Sequence, residues 1–165
     1  MRINILLTIC TIIFLLILLP SSKNSHGEVK ETIKCLLQMK NYSGEGAYIV
    51  ISLLDRENKY IETLYVHGDD PEWYHEISSW WKFYGKKRNN IDAISGETLA
   101  GGERGVNIIS FDKSKLKDAH KLRFETAVED KNYFEKDIEI TLSDIDYEKK
   151  YIGNGFLRYV RLIKD

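Results

Sequence analysis

The sequence lacks the features that mark several large classes of protein. It has only two prolines, and 43% of its 165 residues are hydrophobic, which excludes a disordered chain. Basic and acidic residues nearly cancel, at 24 against 25, and neither sign forms a long block. Because binding to phosphate backbones requires a surplus of basic residues on one face, the composition predicts no nucleic-acid partner.

Cysteine is also scarce. The chain has two cysteines, and Cys10 lies inside an apolar N-terminal run. Removal of this run would leave Cys35 alone, and a single cysteine cannot form a disulfide within the chain. Cys35 occupies an apolar position of an alternating segment, so we expect its side chain to be buried.

The long hydrophobic run at the N-terminus indicates export. Arg2 precedes residues 3–19, which are almost wholly apolar, and small residues suited to cleavage follow at Ser25 and Gly27. We therefore predict a signal peptide at residues 1–27 and a single domain at residues 28–165, located in the periplasm or outside the cell. An uncleaved membrane anchor is the alternative for residues 1–27, because about 20 apolar residues span a bilayer. No other contact with a membrane is predicted.

Short alternating segments fill most of the remaining chain. In the clearest of them, Leu122, Phe124 and Val128 alternate with charged residues, as in a strand with one buried face. Seven or so short strands and one helix predict an all-β fold, an antiparallel β-sandwich of the immunoglobulin-like kind. The predicted strands lie at residues 31–40, 47–54 (apolar on both faces and therefore central), 60–67, 106–111, 122–128, 133–142 and 156–163.

The predicted helix covers residues 70–85. Asp70 can cap its first N–H groups, Pro71 suits its first position, and Gly85 can end it. We expect its apolar stripe to close the core at an end or edge of the sheet. Alternatively, Trp80, Trp81 or Tyr84 stays partly exposed and stacks on a planar ligand. The stripe consists of Trp73, Ile77, Trp80, Trp81 and Tyr84.

A glycine-rich loop at residues 92–105 is the main candidate functional segment. Four of its fourteen residues are glycine, which favours an irregular and accessible backbone. Glu97 and Glu103 could act as the paired carboxylates of a hydrolase. The usual signatures of other sites are missing, because no serine lies in a G-x-S-x-G elbow and the glycines do not follow the order of a nucleotide-binding fingerprint. The residues around His67 and His75 do not have the spacing of a zinc helix either, so no metal site is predicted.

The order of these parts resembles the DUF2271 family of predicted periplasmic proteins. The resemblance covers roughly residues 30–164. It starts with an early strand pair, at residues 48–50 and 60–64, and continues with a tryptophan-rich segment from Trp73 to Trp81. A loop of the form D-x-x-[ST]-G-A-T-x-x-x-G follows, and a last strand at residues 155–162 closes the domain. The resemblance implies an exported envelope domain and leaves its activity open.

The same loop is similar to the attachment motif D-x-x-[ST]-G-A-[ST] of exported flavin-binding proteins, in which a flavin transferase joins FMN to the last hydroxyl residue. By this resemblance Thr98 is the acceptor, and Asp92, Ser95 and Gly96 occupy the other matching positions. Glu97 stands where the motif has alanine. Its negative charge would lie beside the incoming phosphate, so the departure weighs against transfer.

Two main functions follow as hypotheses, and a hydrolase that uses Glu97 and Glu103 is a third. The first is an exported envelope accessory or binding domain of the DUF2271 type that is not itself catalytic. The alternative is an extracytoplasmic electron-transfer protein with FMN attached through Thr98, whose partners would be a flavin transferase and membrane redox proteins.

Overall fold

A computed structural model describes residues 30–87 and 90–164, and the predicted leader lies outside them. The described chain forms a β-rich fold with one short α-helix, α1, at Ser78–Lys87. Short 3-10 segments occur at Pro71–Glu76, Asp92–Ile94, Lys113–Lys117 and Leu142–Asp144. The strands are β1 Lys30–Met39, β2 Tyr48–Leu54, β3 Tyr60–His67, β4 Ser95–Gly96, β5 Arg104–Asp112, β6 Lys121–Ala127, β7 Tyr133–Thr141, β8 Tyr151–Ile152 and β9 Leu157–Lys164.

Two sheets pack face to face, which confirms the predicted β-sandwich. One sheet has the strand order β5-β1-β9-β8, and the other has the order β4-β3-β2-β6-β7. All the pairings are antiparallel except that of β4, which runs parallel to β3. The seven predicted strands are present, and β2 is central as expected. The two-residue strands β4 and β8 were not predicted, because segments of that length carry no periodic pattern.

The inner faces of the two sheets form the main core. Inward side chains alternate along each strand, such as Ile33 and Leu37 on β1 opposite Ile49 and Ile51 on β2. Cys35 is fully buried among them, as predicted. Burial raises the pKa of its thiol to about 12, so little thiolate is present at neutral pH.

The predicted helix is divided in two. Asp70 caps the first segment by accepting a hydrogen bond from the Glu72 N–H, as expected, and Pro71 begins that segment. The backbone then turns at Ile77, with φ −89° and ψ 67°, before α1 starts, and α1 continues past Gly85 to Lys87. Because the turn rotates the first segment, Tyr74 faces the core, a position that the sequence pattern assigned to Trp73.

The helical segments cover the outer face of the five-stranded sheet, whereas we expected them at an end or edge. The outward side chains of β2 include Tyr48 and Val50, which form a second core with Tyr74, Ile77 and Trp80. These outward apolar side chains would be exposed to water if nothing packed on them, and the helical segments bury them. As a result β6, predicted to be half-buried, is buried on both faces.

Candidate functional site

The glycine-rich loop is fastened to the edge of the sandwich. Its strand β4 pairs with Val66 and His67 of β3, and Leu99 then exchanges backbone hydrogen bonds with Ala47. From there the loop crosses to β5 in the other sheet. The backbone of the loop is therefore held at several points along its length.

His67 fixes the centre of this loop. Its Nδ1 lies 2.8 Å from the carbonyl oxygen of Glu97, and its Nε2 lies 2.9 Å from the side-chain amide of Asn107. A carbonyl oxygen only accepts, so Nδ1 carries a hydrogen. Both ring nitrogens of His67 thus have protein partners. Within residues 30–87 and 90–164, no three His, Cys, Asp or Glu side chains form a group that could hold a metal ion.

Thr98 is half-buried and faces Gly46. A Cβ added to Gly46 would lie 2.3 Å from the Thr98 Oγ1, so only glycine leaves room for this hydroxyl. Of the other motif positions, Ser95 and Gly96 form β4, and the backbone of Asp92 starts the preceding 3-10 segment. Flavin attachment at Thr98 stays a prediction.

Glu97 and Glu103 have different surroundings. The Glu103 Oε2 accepts a hydrogen bond of 2.7 Å from the Ala100 N–H, which stabilises the turn at the end of the loop. Glu97 contributes its backbone carbonyl to the contact with His67, and its side chain is exposed. Glu103 therefore has a structural contact that accounts for its presence in the loop.

The two tryptophans proposed for stacking also differ. Trp80 is fully buried, its Nε1–H donates to the Thr63 Oγ1 at 2.8 Å, and its ring stacks on Tyr84 at a centroid distance of 4.7 Å. Trp80 thus belongs to the core of the protein and has no face open to a ligand. Trp81 is half-buried and keeps part of its surface exposed.

A cleft of about 370 Å³ opens where the loop, α1 and β3 meet. Phe83 and Tyr84 line it from α1, and Glu62 and Lys115 form an ion pair of 2.8 Å beside them. The second carboxylate oxygen of Glu62, Oε2, is buried and has no hydrogen-bond partner among the described residues. The sequence did not predict this cleft. The one feature that could have indicated it is an acidic residue, Glu62, within the predicted third strand.

A comparison with protein families gives a match over most of the chain. Residues 30–159 match the family described as "Predicted periplasmic protein (DUF2271)". The chain belongs to the DUF2271 family. This membership confirms both the resemblance seen in the sequence and the expected periplasmic location. No curated protein and no solved structure matches the chain.

The membership places the described domain in the periplasm. Within residues 30–87 and 90–164, no helix combines the length and apolarity needed to cross a bilayer.

The DUF2271 domain also contains a buried polar network beneath α1. Glu125 has no exposed surface, and it accepts hydrogen bonds from the hydroxyl groups of Tyr60 and Tyr133. Next to it, the buried guanidinium of Arg123 contacts Glu139 at 2.8 Å and Glu135 at 3.0 Å. Burial raises the pKa of Glu125 to about 7, and burial together with the Glu125 carboxylate raises the pKa of both tyrosines.

Proposed function

We propose that this periplasmic DUF2271 protein is a binding module that holds an extended peptide segment against the edge of β3. The proposal rests mainly on the open part of that edge. Strand β4 pairs only with Val66 and His67, so no strand of the described chain lies beside residues 60–65 on the side away from β2. An unpaired strand edge presents N–H and C=O groups to any extended chain that approaches it.

A short segment of the chain itself already lies along this edge. Ser95 and Gly96 already pair with the end of β3 in parallel. A bound peptide would extend the row of hydrogen bonds from the start of β4, at Ser95 beside Val66, toward Tyr60. Strand pairing supplies the affinity in such complexes, and pockets for alternate side chains supply the specificity.

The cleft provides contacts for the side chains of such a peptide. Its volume of about 370 Å³ lies in the range of ordinary ligand pockets. Phe83 and Tyr84 offer apolar surface, and the unpartnered Oε2 of Glu62 is an acceptor for an N–H donor. Leaving a buried acceptor unpaired costs about 1–3 kcal/mol, which a ligand donor would recover. A peptide that carries a basic side chain beside an apolar one has both features.

A displayed peptide library tests the proposal. Selection on the purified protein should enrich peptides whose binding slows amide hydrogen exchange in residues 61–65. Glu62→Gln should weaken the selected peptides roughly tenfold, because the amide removes the negative charge that faces the basic group. Lys82→Glu, an exposed substitution on α1, should leave their affinity unchanged. Selected peptides that protect amides elsewhere, or that bind the Glu62→Gln variant as tightly as the wild type, would contradict the proposal.

Covalent FMN at Thr98 is the alternative function, and intact mass tests it. Co-expression with a flavin transferase should yield yellow protein that is heavier by one flavin phosphate, and Thr98→Ala should abolish the gain in mass. A colourless product at the unmodified mass would exclude this function under those conditions. Such a product would leave the peptide-binding proposal intact, because that proposal does not involve the Thr98 hydroxyl.

A further inference from the structure

The two sheets differ in how their outer faces are covered. The five-stranded sheet lies under the helical segments, whereas the outward side chains of β5 in the four-stranded sheet are exposed. Val106 and Ile108 on β5 retain 55% and 62% of their surface. Large aliphatic side chains in adjacent outward positions of one strand commonly mark an interaction surface.

The register of the strands brings further apolar groups next to these two. Val106 lies opposite Leu36 on β1, which in turn lies opposite Arg161 on β9. In the next row, Ile108 lies opposite Lys34, which lies opposite Ile163. Aliphatic and basic side chains are therefore interspersed on one outward surface, which we call the β5 face.

The charge on the β5 face is mostly positive. Asp112 and Glu148 contribute the acidic groups at its rim, and Glu148 contacts Arg161 at 3.3 Å. Five basic residues lie on or over the face: Lys30 and Lys34 of β1, Arg104 of β5, Lys150 over the ring of Tyr159, and Arg161 of β9. The face is thus basic although the whole chain has a net charge of −1.

We propose that the β5 face docks on the surface of an anionic phospholipid bilayer. Interspersed cations attract the lipid phosphates, while Val106 and Ile108 enter the boundary between headgroups and acyl chains. A second copy of the same face is disfavoured, because it would bring like charges together. The face also includes β1, the described strand that is nearest in the sequence to the membrane anchor that residues 1–27 form if they are retained.

An environment-sensitive fluorophore tests this proposal with or without the leader. Ile108→Cys is labelled in full-length protein that also carries Cys10→Ser, so that the buried Cys35 is the only other thiol. Lys82→Cys on α1 serves as the matched position on the opposite side. Vesicles rich in phosphatidylglycerol should shift the emission at position 108 to the blue and leave position 82 unchanged. Neutral phosphatidylcholine vesicles should give no shift at either position, and high salt should reverse the effect.

Charge reversal gives the second measurement. Lys30→Glu combined with Lys34→Glu should raise the vesicle concentration at half-maximal shift at least tenfold, whereas Lys82→Glu combined with Lys86→Glu should leave it unchanged. Thermal unfolding of each variant checks that the fold persists. The proposal is overturned by equal shifts on neutral and anionic vesicles, by insensitivity to the reversal at residues 30 and 34, or by an equal shift with soluble polyglutamate.

Discussion

Replacing Asp137 with alanine is expected to destabilise the protein by about 3–5 kcal/mol. Asp137 is fully buried in β7, and its carboxylate accepts three hydrogen bonds. The Gly155 N–H donates at 2.6 Å, the Leu157 N–H at 2.9 Å and the Thr126 hydroxyl at 2.7 Å. Alanine would leave these three buried donors without an acceptor, and each such donor costs about 1–3 kcal/mol before water enters.

The position of Asp137 explains why the effect should extend beyond one side chain. The residue belongs to the edge strand of the five-stranded sheet, whereas Leu157 begins β9 in the other sheet. Asp137 therefore joins the two sheets at one edge. A Cβ on Gly153 would lie 2.6 Å from the Asp137 Oδ1, so this glycine allows the turn to approach the carboxylate closely.

Chemical denaturation of matched variants measures this effect. Thr126→Val removes one donor and leaves the carboxylate with its two backbone partners, so it should cost about 1–2 kcal/mol. Asp137→Asn keeps the shape of the side chain, but its amide N–H group faces a donor where a carboxylate oxygen accepted a hydrogen bond. Its cost in stability should therefore fall between those of Thr126→Val and Asp137→Ala. A change below about 0.5 kcal/mol for Asp137→Ala would show that the three hydrogen bonds do not stabilise the fold.

The sequence predicted the strands well because their inward side chains alternate regularly. Asp137 was missed for the same reason, since alternation with Ile138 and Ile140 assigns it to the outward face. The ladder between β6 and β7 is irregular between Phe124 and Thr126, and the Asp137 carboxylate reaches the Thr126 hydroxyl there. A β-bulge breaks the two-residue period, and no periodic pattern records where a bulge occurs.

Two of the elements that line the cleft could be recognised in the sequence, but the cleft itself could not. The sequence indicated the glycine-rich loop and an aromatic helix, and the structure places the cleft where these two elements meet β3. The ion pair between Glu62 and Lys115 joins residues that lie far apart in the chain, on β3 and after β5. Such proximity follows from the packing of the sheets, so local sequence patterns do not reveal it.

The wild-type protein is expected to lose stability as the pH rises, because Glu125 is buried and must ionise. Glu125→Gln is expected to remove this loss. The pKa of Glu125 is raised to about 7 in the folded protein, against about 4.3 in an unfolded chain. A raised pKa means that the protonated carboxyl favours folding, so its contribution is complete below pH about 4 and is lost as the pH passes about 7. A shift of this size corresponds to a change on the order of 3–4 kcal/mol.

The measurement is the free energy of unfolding of the wild type and of Glu125→Gln from pH about 4.5 to about 8. The difference between the two values at each pH gives the contribution of Glu125. Glutamine cannot ionise, so the stability of the Glu125→Gln variant relative to wild type should increase with pH. Tyr133→Phe should act in the opposite direction, because it removes a donor that stabilises the carboxylate and so raises the pKa further. Parallel pH profiles for wild type and Glu125→Gln would mean that Arg123, with its guanidinium beside the network, keeps Glu125 ionised throughout this range.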